Sequence, residues 1–133
     1  MKESPKGRTI LLAEDDPFIS RMYQTKLQSS GFGVLMAANG REAAELVSSD
    51  HPDLLMLDLD MPEMTGWQAL EKLRTDGFDF STMPVIILTN SSKPEDRDRA
   101  KEYAADYLVK SDITPRQVLD IINEKLGINA AEK

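Results

Sequence analysis

Leu54-Leu55-Met56-Leu57-Asp58-Leu59-Asp60-Met61-Pro62-Glu63-Met64-Thr65-Gly66-Trp67 is the stretch that decides how this 133-residue chain is read. Four aliphatic positions in a row stop at an aspartate, and Pro62 and Gly66 then break the chain before an apolar-periodic segment begins. An unbroken apolar run bounded by turn residues is the pattern of a strand buried on both faces. Charge has no place along such a strand, so its first carboxylate falls where the strand re-emerges. In open α/β sheets the carboxyl ends of strands are where ligands bind. Asp58 is therefore the residue whose surroundings need explaining.

The same pattern recurs on both sides of it. Thr9-Ile10-Leu11-Leu12-Ala13 is an apolar run ending in Glu14-Asp15-Asp16, and Gly33-Val34-Leu35-Met36-Ala37 fits a second strand. Downstream, Pro84 to Thr89 ends in a hydroxyl followed by Asn90-Ser91-Ser92, and Asp106 to Lys110 ends on a cation. Helical segments alternate with these strands. Asp16-Pro17 reads as N-cap and first helical residue, with Ile19, Met22, Tyr23 and Leu27 at helical spacing and Gly31 as the stop. Asn39-Gly40-Arg41-Glu42 opens a second helix running to about Ser49, and Trp67, Leu70 and Leu73 mark one face of a third. Thr75 to Met83 reads as a loop. Ser92-Lys93-Pro94-Glu95 predicts a capping box for a fourth helix that has chiefly Ala100 and Tyr103 to bury, and so is weakly held. Thr114-Pro115-Arg116-Gln117 starts a fifth, lined by Val118, Ile121, Ile122 and Leu126 and closed by Gly127.

Five strands alternating with five helices predict right-handed crossovers and a doubly wound parallel sheet with helices on both faces, in one α/β domain. That domain is expected over residues 9–127, after a flexible lead at 1–8 and before a frayed tail at 128–133. Periodicity leaves the strand order open.

Composition narrows the function. The absence of cysteine removes disulfide scaffolds, thiol nucleophiles and Cys-based zinc sites, and one histidine, His51, cannot build a His-rich metal site. Its neighbours Asp50 and Pro52 place it in a surface turn. A net charge of −7 argues against direct binding of nucleic acid or an anionic membrane surface. The basic start lacks the apolar run of a signal peptide, and no stretch approaches membrane-spanning length, so a cytoplasmic protein is expected.

In a parallel sheet all the strand ends share one edge. Glu14, Asp15, Asp16, Asp58 and Asp60 would then repel one another there unless a cation compensates. An all-oxygen cluster without His or Cys selects a hard ion, and Mg²⁺ fits because it keeps positions for water and a phosphoryl group. Lys110 can meet an added phosphoryl oxygen as a point charge and Thr89 can donate its hydroxyl to the same group. An aspartate so placed is a candidate phosphoryl acceptor.

These motifs, Leu12-Ala13-Glu14-Asp15-Asp16-Pro17, Leu57-Asp58-Leu59-Asp60-Met61-Pro62 with Gly66, Ile87-Leu88-Thr89, and Asp106-Tyr107-Leu108-Val109-Lys110, make the chain resemble the receiver domains of two-component response regulators, the CheY-like family, from about Thr9 to Leu126. The resemblance implies the flavodoxin-like strand order 2-1-3-4-5. It implies Asp58 as phosphoacceptor, with Asp15 a direct ligand of Mg²⁺ (Mn²⁺ can substitute), Glu14 acting through water and the Asp60 backbone carbonyl completing the metal set. Thr89 would be the switch hydroxyl, Lys110 the lysine that meets the phosphoryl group, and Tyr107 the aromatic that follows Thr89. The implied partners are a histidine kinase or phosphotransfer protein upstream, and downstream a protein target or an output domain outside this sequence. Helix four, strand five and helix five would form the switching surface, which is also the route to a dimer. Such a domain catalyses only its own phosphorylation and dephosphorylation.

Four positions depart from the family pattern. Ser111 stands after Lys110 where proline, often behind a cis bond, is usual, so a trans peptide is expected. Asn90 replaces a small residue after Thr89 and is expected to narrow access to the phosphoryl group. Ala104-Ala105 replaces Gly-Ala before strand five, and Asp60 adds an acid that would tune dephosphorylation. Among rivals, a haloacid-dehalogenase-like phosphatase would use Asp58 and Asp60 with Thr89, but needs an acidic Gly-Asp motif after the lysine to bind metal, and no such motif follows Lys110. An unphosphorylated interaction module would have lost part of the set. Flavin binding lacks its phosphate loop, because Glu14-Asp15-Asp16 stands in that place.

Overall fold

Strand β3 (Leu54–Leu57) sits at the centre of a five-stranded parallel sheet. On one side it pairs with β1 (Thr9–Ala13), which carries β2 (Gly33–Ala37); on the other it pairs with β4 (Val85–Thr89), which carries β5 (Asp106–Val109). The order is therefore β2-β1-β3-β4-β5, as the resemblance implied. The computed structural model describes residues 7–128.

Alternation along the strands sorts the core into two layers. Leu11, Ala13, Leu55, Leu57, Val85 and Ile87 face helices α2 (Gly40–Asp50) and α3 (Gly66–Thr75) together with Ala100 of α4 (Pro94–Ala100). Ile10, Leu12, Leu54, Met56, Ile86 and Leu88 face α1 (Pro17–Ser29) and α5 (Pro115–Lys125). All four residues of β3 are buried, which is why its sequence shows no polar alternation.

The helix starts follow their side chains. Asp16 accepts from the N–H groups of Phe18 and Ile19, and Asn39 accepts from Glu42 N. Thr65 with Gln68, and Thr114 with Gln117, form complete capping boxes. The box expected at Ser92 does not form. Helix α4 starts at Pro94 with Lys93 as its N-cap, so Ser92 stands one residue outside the capping position, and a lysine offers no acceptor for the first N–H groups. The helix is also short, seven residues continued by a 3-10 turn over Lys101–Tyr103. The Thr75 to Met83 stretch contains a second 3-10 turn, Phe80–Thr82, which Asp79 nucleates by accepting from Ser81 N. Phe80 then packs edge-on against Tyr103, with ring centroids 5.3 Å apart.

At the ends, the Arg8 carbonyl accepts from Gly33 N and its guanidinium donates to the Leu126 carbonyl, while Ile128 N donates to Asn123 O. Arg8 and Ile128 thus belong to the fold; residues 1–6 of the expected lead and 129–133 of the expected tail lie outside the described residues. His51 is exposed and caps α2 at φ 50°, a surface turn. No peptide among the described residues is cis, so Lys110-Ser111 is trans as expected.

Two backbone positions carry consequences. Ala104 sits at φ 54°, in the left-handed region where a Cβ is strained and glycine is at ease. Ala104→Gly should raise stability by about 1 kcal/mol in urea unfolding, the relieved strain exceeding the added freedom of the unfolded chain. Gly66 lies so close beneath the Asp58 carbonyl that a Cβ would collide with its oxygen. Gly66→Ala should cost about 2 kcal/mol or more in the same assay, because backbone cannot yield as a side chain does.

Candidate functional site

The sheet's carboxyl edge gathers the acids. Glu14 N donates to the Ala37 carbonyl and Asp58 N to the Ala13 carbonyl, both at 3.0 Å, so ladder hydrogen bonds carry each strand one residue past its last apolar position and hold the acid that follows. Glu14 and Asp58 are 5% and 6% exposed, whereas Asp15 is exposed. One carboxylate oxygen from each of the three lies within 4.8 Å of the others.

Lys110 reaches into this cluster from the far end of the sheet. Its ammonium donates to Glu14 Oε1 at 3.0 Å and to Asp58 Oδ2 at 3.5 Å. Asp58 Oδ1 accepts from Asp60 N at 3.4 Å, and Glu14 Oε2 from Asp16 N at 3.2 Å. The Asp15 carboxylate has no partner among the described residues. The donor set is hard oxygen only and carries more negative charge than one lysine offsets, which suits a divalent hard cation held by Glu14, Asp15 and Asp58.

Burial, and then the charge of Glu14, push the Asp58 carboxyl up to about 6, against the opposing pull of Lys110 and the Asp60 N–H. Burial would lower Lys110, but its hydrogen bond to Glu14 and the charges of Asp58 and Glu14 outweigh that and hold the ammonium above its ordinary value.

Thr89 ends β4 fully buried, beside these groups on the same sheet edge. Its Oγ1 accepts from Ser91 N at 3.3 Å, and the Tyr107 hydroxyl donates to the Ser91 carbonyl at 2.8 Å. The expected switch pair is thus joined through one residue, Ser91. Asp60 and Asn90 are both exposed and line a groove of about 520 Å³ with Thr65, Trp67, Ser91 and Asp96. Of the residues singled out in the sequence, Glu14, Asp15, Asp58 and Lys110 are brought together and Thr89 ends the neighbouring strand. Asp16 is turned away to cap α1, Asp60 reaches Asp58 only through its backbone N–H, and Tyr107 lies one layer removed.

Ser91 and Asp96 were missed as contributors. Ser91 Oγ donates to Asp96 Oδ2 at 2.7 Å, and Asp96 Oδ1 accepts from Trp67 Nε1 at 3.3 Å. Asn-Ser-Ser carries no signal beyond a turn, and an aspartate in a first helical turn suggests only a favourable charge. Arg97 over the Tyr107 ring at 5.0 Å and Arg99 over Trp67 at 4.7 Å were equally unreadable.

The raised Asp58 carboxyl has a stability consequence with a definite sign. Between its ordinary value of 3.8 and about 6, the folded protein holds a proton that the unfolded chain has released, so stability falls as pH rises through that window and stays lowered above it. In EDTA at pH 7.5, Asp58→Asn should therefore stabilise the protein by about 1–2 kcal/mol in urea unfolding, and the gain should vanish at pH 3.5.

Comparison with known proteins places this arrangement. The response regulator receiver domain matches residues 10–123. A probable transcriptional regulator, ycf27, of Porphyridium aerugineum is 34% identical over 109 residues, covering 82% of this chain and 44% of its own length. The polar-differentiation response regulator DivK of Brucella ovis is 23% identical and covers 90% of this chain and 97% of its own. The chain spans less than half the length of the first curated relatives it matches, 44% and 41%. Among solved structures, the receiver domain of a Francisella response regulator superposes with a TM-score of 0.80 at 27% identity, covering 90% of this chain and 97% of that one. A CheY-like receiver domain protein from Methanospirillum hungatei gives the same score and identity, covering 90% and 94%. The chain belongs to the response regulator receiver domain family of two-component signalling.

Proposed function

We propose that Asp58 is the phosphoacceptor of this receiver domain and that a phosphohistidine, on a histidine kinase or a phosphotransfer protein, is its donor. The observation that carries this is the Lys110 ammonium spanning Glu14 and Asp58 within a cluster of three carboxylates at the end of β1 and β3. A purely structural lysine would satisfy one acid; this one is shared, and can turn toward new oxygens without leaving the site.

Asp58 attacks through a carboxylate oxygen. The O–P bond forms as the P–N bond to histidine breaks, and the departing imidazole takes up a proton from solvent. Glu14, Asp15 and Asp58, with the Asp60 carbonyl, would hold Mg²⁺, which supplies positive charge to the transferring oxygens; Mn²⁺ has the same donor preference. Lys110 offsets the remaining charge and Thr89 donates its hydroxyl to a phosphoryl oxygen. Asn90 and Asp60, both lining the groove beside the acceptor, set how readily water reaches the aspartyl phosphate and hence its lifetime.

A protein donor is supported by an apolar surface next to the site. Phe18, in the first turn of α1 just after Asp15 and Asp16, is 81% exposed, and Met22 is 38% exposed. Downstream, the surface of α4, β5 and α5 would change its preference for a target, an output domain or a second copy as the switch pair responds.

The test is intact mass after incubation with acetyl phosphate and Mg²⁺. One phosphoryl adduct should form on the natural protein and none on Asp58→Ala, and EDTA should prevent it. An adduct that persists in Asp58→Ala would defeat the assignment. Steady turnover of unrelated phosphate esters would instead support a phosphatase.

A further inference from the structure

Ser91 has every polar group engaged. Its N–H donates to Thr89 Oγ1 and its carbonyl accepts from the Tyr107 hydroxyl. Its own hydroxyl donates to Asp96 Oδ2 at 2.7 Å and accepts from Lys93 N at 3.3 Å. The Asp96 carboxylate is held on its other oxygen by the indole N–H of Trp67, in the first turn of α3. Two arms therefore leave Ser91: one to Tyr107 on β5, the other through Asp96 in the first turn of α4 to Trp67.

We infer that Ser91 and Asp96 are positioning residues that carry the state of Asp58 to Trp67, making the start of α3 a second responding element beside the Tyr107 side of the molecule. This coupling rests on phosphorylation at Asp58 as proposed above. Thr89 cannot swing its hydroxyl toward a phosphoryl oxygen without disturbing a bond to Ser91 that is already long at 3.3 Å. Ser91 cannot follow Thr89 without changing its hydroxyl's hold on Asp96. Asp96 passes a change on, because the first turn of α4 has no side-chain N-cap and both oxygens of this carboxylate are engaged, one by Ser91 and the other by Trp67. Trp67 registers the change, since its ring stacks under Arg99 of the same short helix and lies 6.3 Å from Tyr103. A shift in the first turn of α4 alters both the partner of the indole N–H and the charge over its face.

The chain has a single tryptophan, so its fluorescence reads Trp67 alone. The experiment follows that emission on adding acetyl phosphate and Mg²⁺ to the full chain, with the mass of each sample taken in parallel, and Mg²⁺ alone and Asp58→Asn as controls. The emission should shift as the adduct forms and return as it hydrolyses. Ser91→Ala and Asp96→Ala should form the adduct but lose most of the shift. Ser91→Thr, which keeps the hydroxyl, should restore it, and Tyr107→Phe, which breaks only the other arm, should keep it. If Ser91→Ala fails to fold, Asp96→Asn tests the same arm, because an amide reorganises the contacts of Ser91 and the indole without shortening the side chain. An adduct with no shift in the natural protein would overturn the coupling, as would an undiminished shift in both alanine variants. Absence of any adduct in the natural protein would instead defeat the acceptor assignment, so the two failures are told apart by mass.

Discussion

Two buried carboxylates and one ammonium set the terms for the rest of this molecule. Glu14 and Asp58 lose most of their hydration, and a buried acid without a partner costs several kcal/mol. Lys110 offsets part of that cost for both at once. The lysine lies 96 residues from Glu14 and 52 from Asp58 in the chain, so no local segment can form the triad. It exists only when β1, β3, β4 and β5 stand in their native order. The third carboxylate, Asp15, remains exposed and unpaired among the described residues, which leaves the cluster with excess negative charge at the place where a cation and a phosphoryl group would arrive.

Holding the acids there demands rigid surroundings. Gly40 N donates to the Met64 carbonyl at 2.7 Å, and Gly66 N donates to the Leu59 carbonyl at 3.0 Å, so the loop after β3 is clamped between the starts of α2 and α3. Side chains at either glycine would force that loop away, through the Met64 and Asp58 carbonyls respectively. The opposite wall is built differently. Helix α4 buries one residue, Ala100, and is held to the body by Arg97 over Tyr107, Arg99 over Trp67 and the Asp96 bonds. Such cation–π contacts at exposed sites contribute about 0.5–1 kcal/mol each, far less than a buried apolar helix face. The site thus has one fixed wall and one compliant wall.

That difference also marks how far the sequence could be read. The central strands β1, β3 and β4 were legible because burial on both faces leaves almost nothing but apolar residues, and Glu14, Asp58 and Thr89 stand at the ends of those runs. The edge strand β5 is only partly buried and opens on Asp106, and Lys110 follows its last apolar residues. The capping residues of α1, α2 and α5 follow from local side-chain chemistry, and all three stand where expected. At α4 the same reasoning failed, because the helix starts at Pro94 and makes Lys93 the N-cap, while the neighbouring Ser91 gives its hydroxyl to Asp96. A serine's hydroxyl has no preference visible in sequence between a helix end and a carboxylate five residues on. Arginine–aromatic stacking likewise depends on which faces three elements turn to one another, and spacing along one helix does not report that. Ala104 could be flagged as a departure from glycine, but only the φ of 54° shows that the backbone kept the left-handed turn.

The compliant wall and the weak links belong together. Remaking one or two hydrogen bonds changes the free energy by about 1 kcal/mol each, which cannot displace a helix anchored by several buried leucines. It can displace one anchored by an alanine, two stacked arginines and a shared carboxylate, since couplings between sites are typically about 1–3 kcal/mol. Residues 91 to 99 are charged or polar apart from the exposed Pro94, with no buried apolar side chain among them, and they follow closely on the end of β4. A more apolar α4 would make a more stable fold and, on the coupling proposed above, a poorer switch. Under that proposal, holding the fourth helix harder would disconnect Thr89 from everything beyond Ser91.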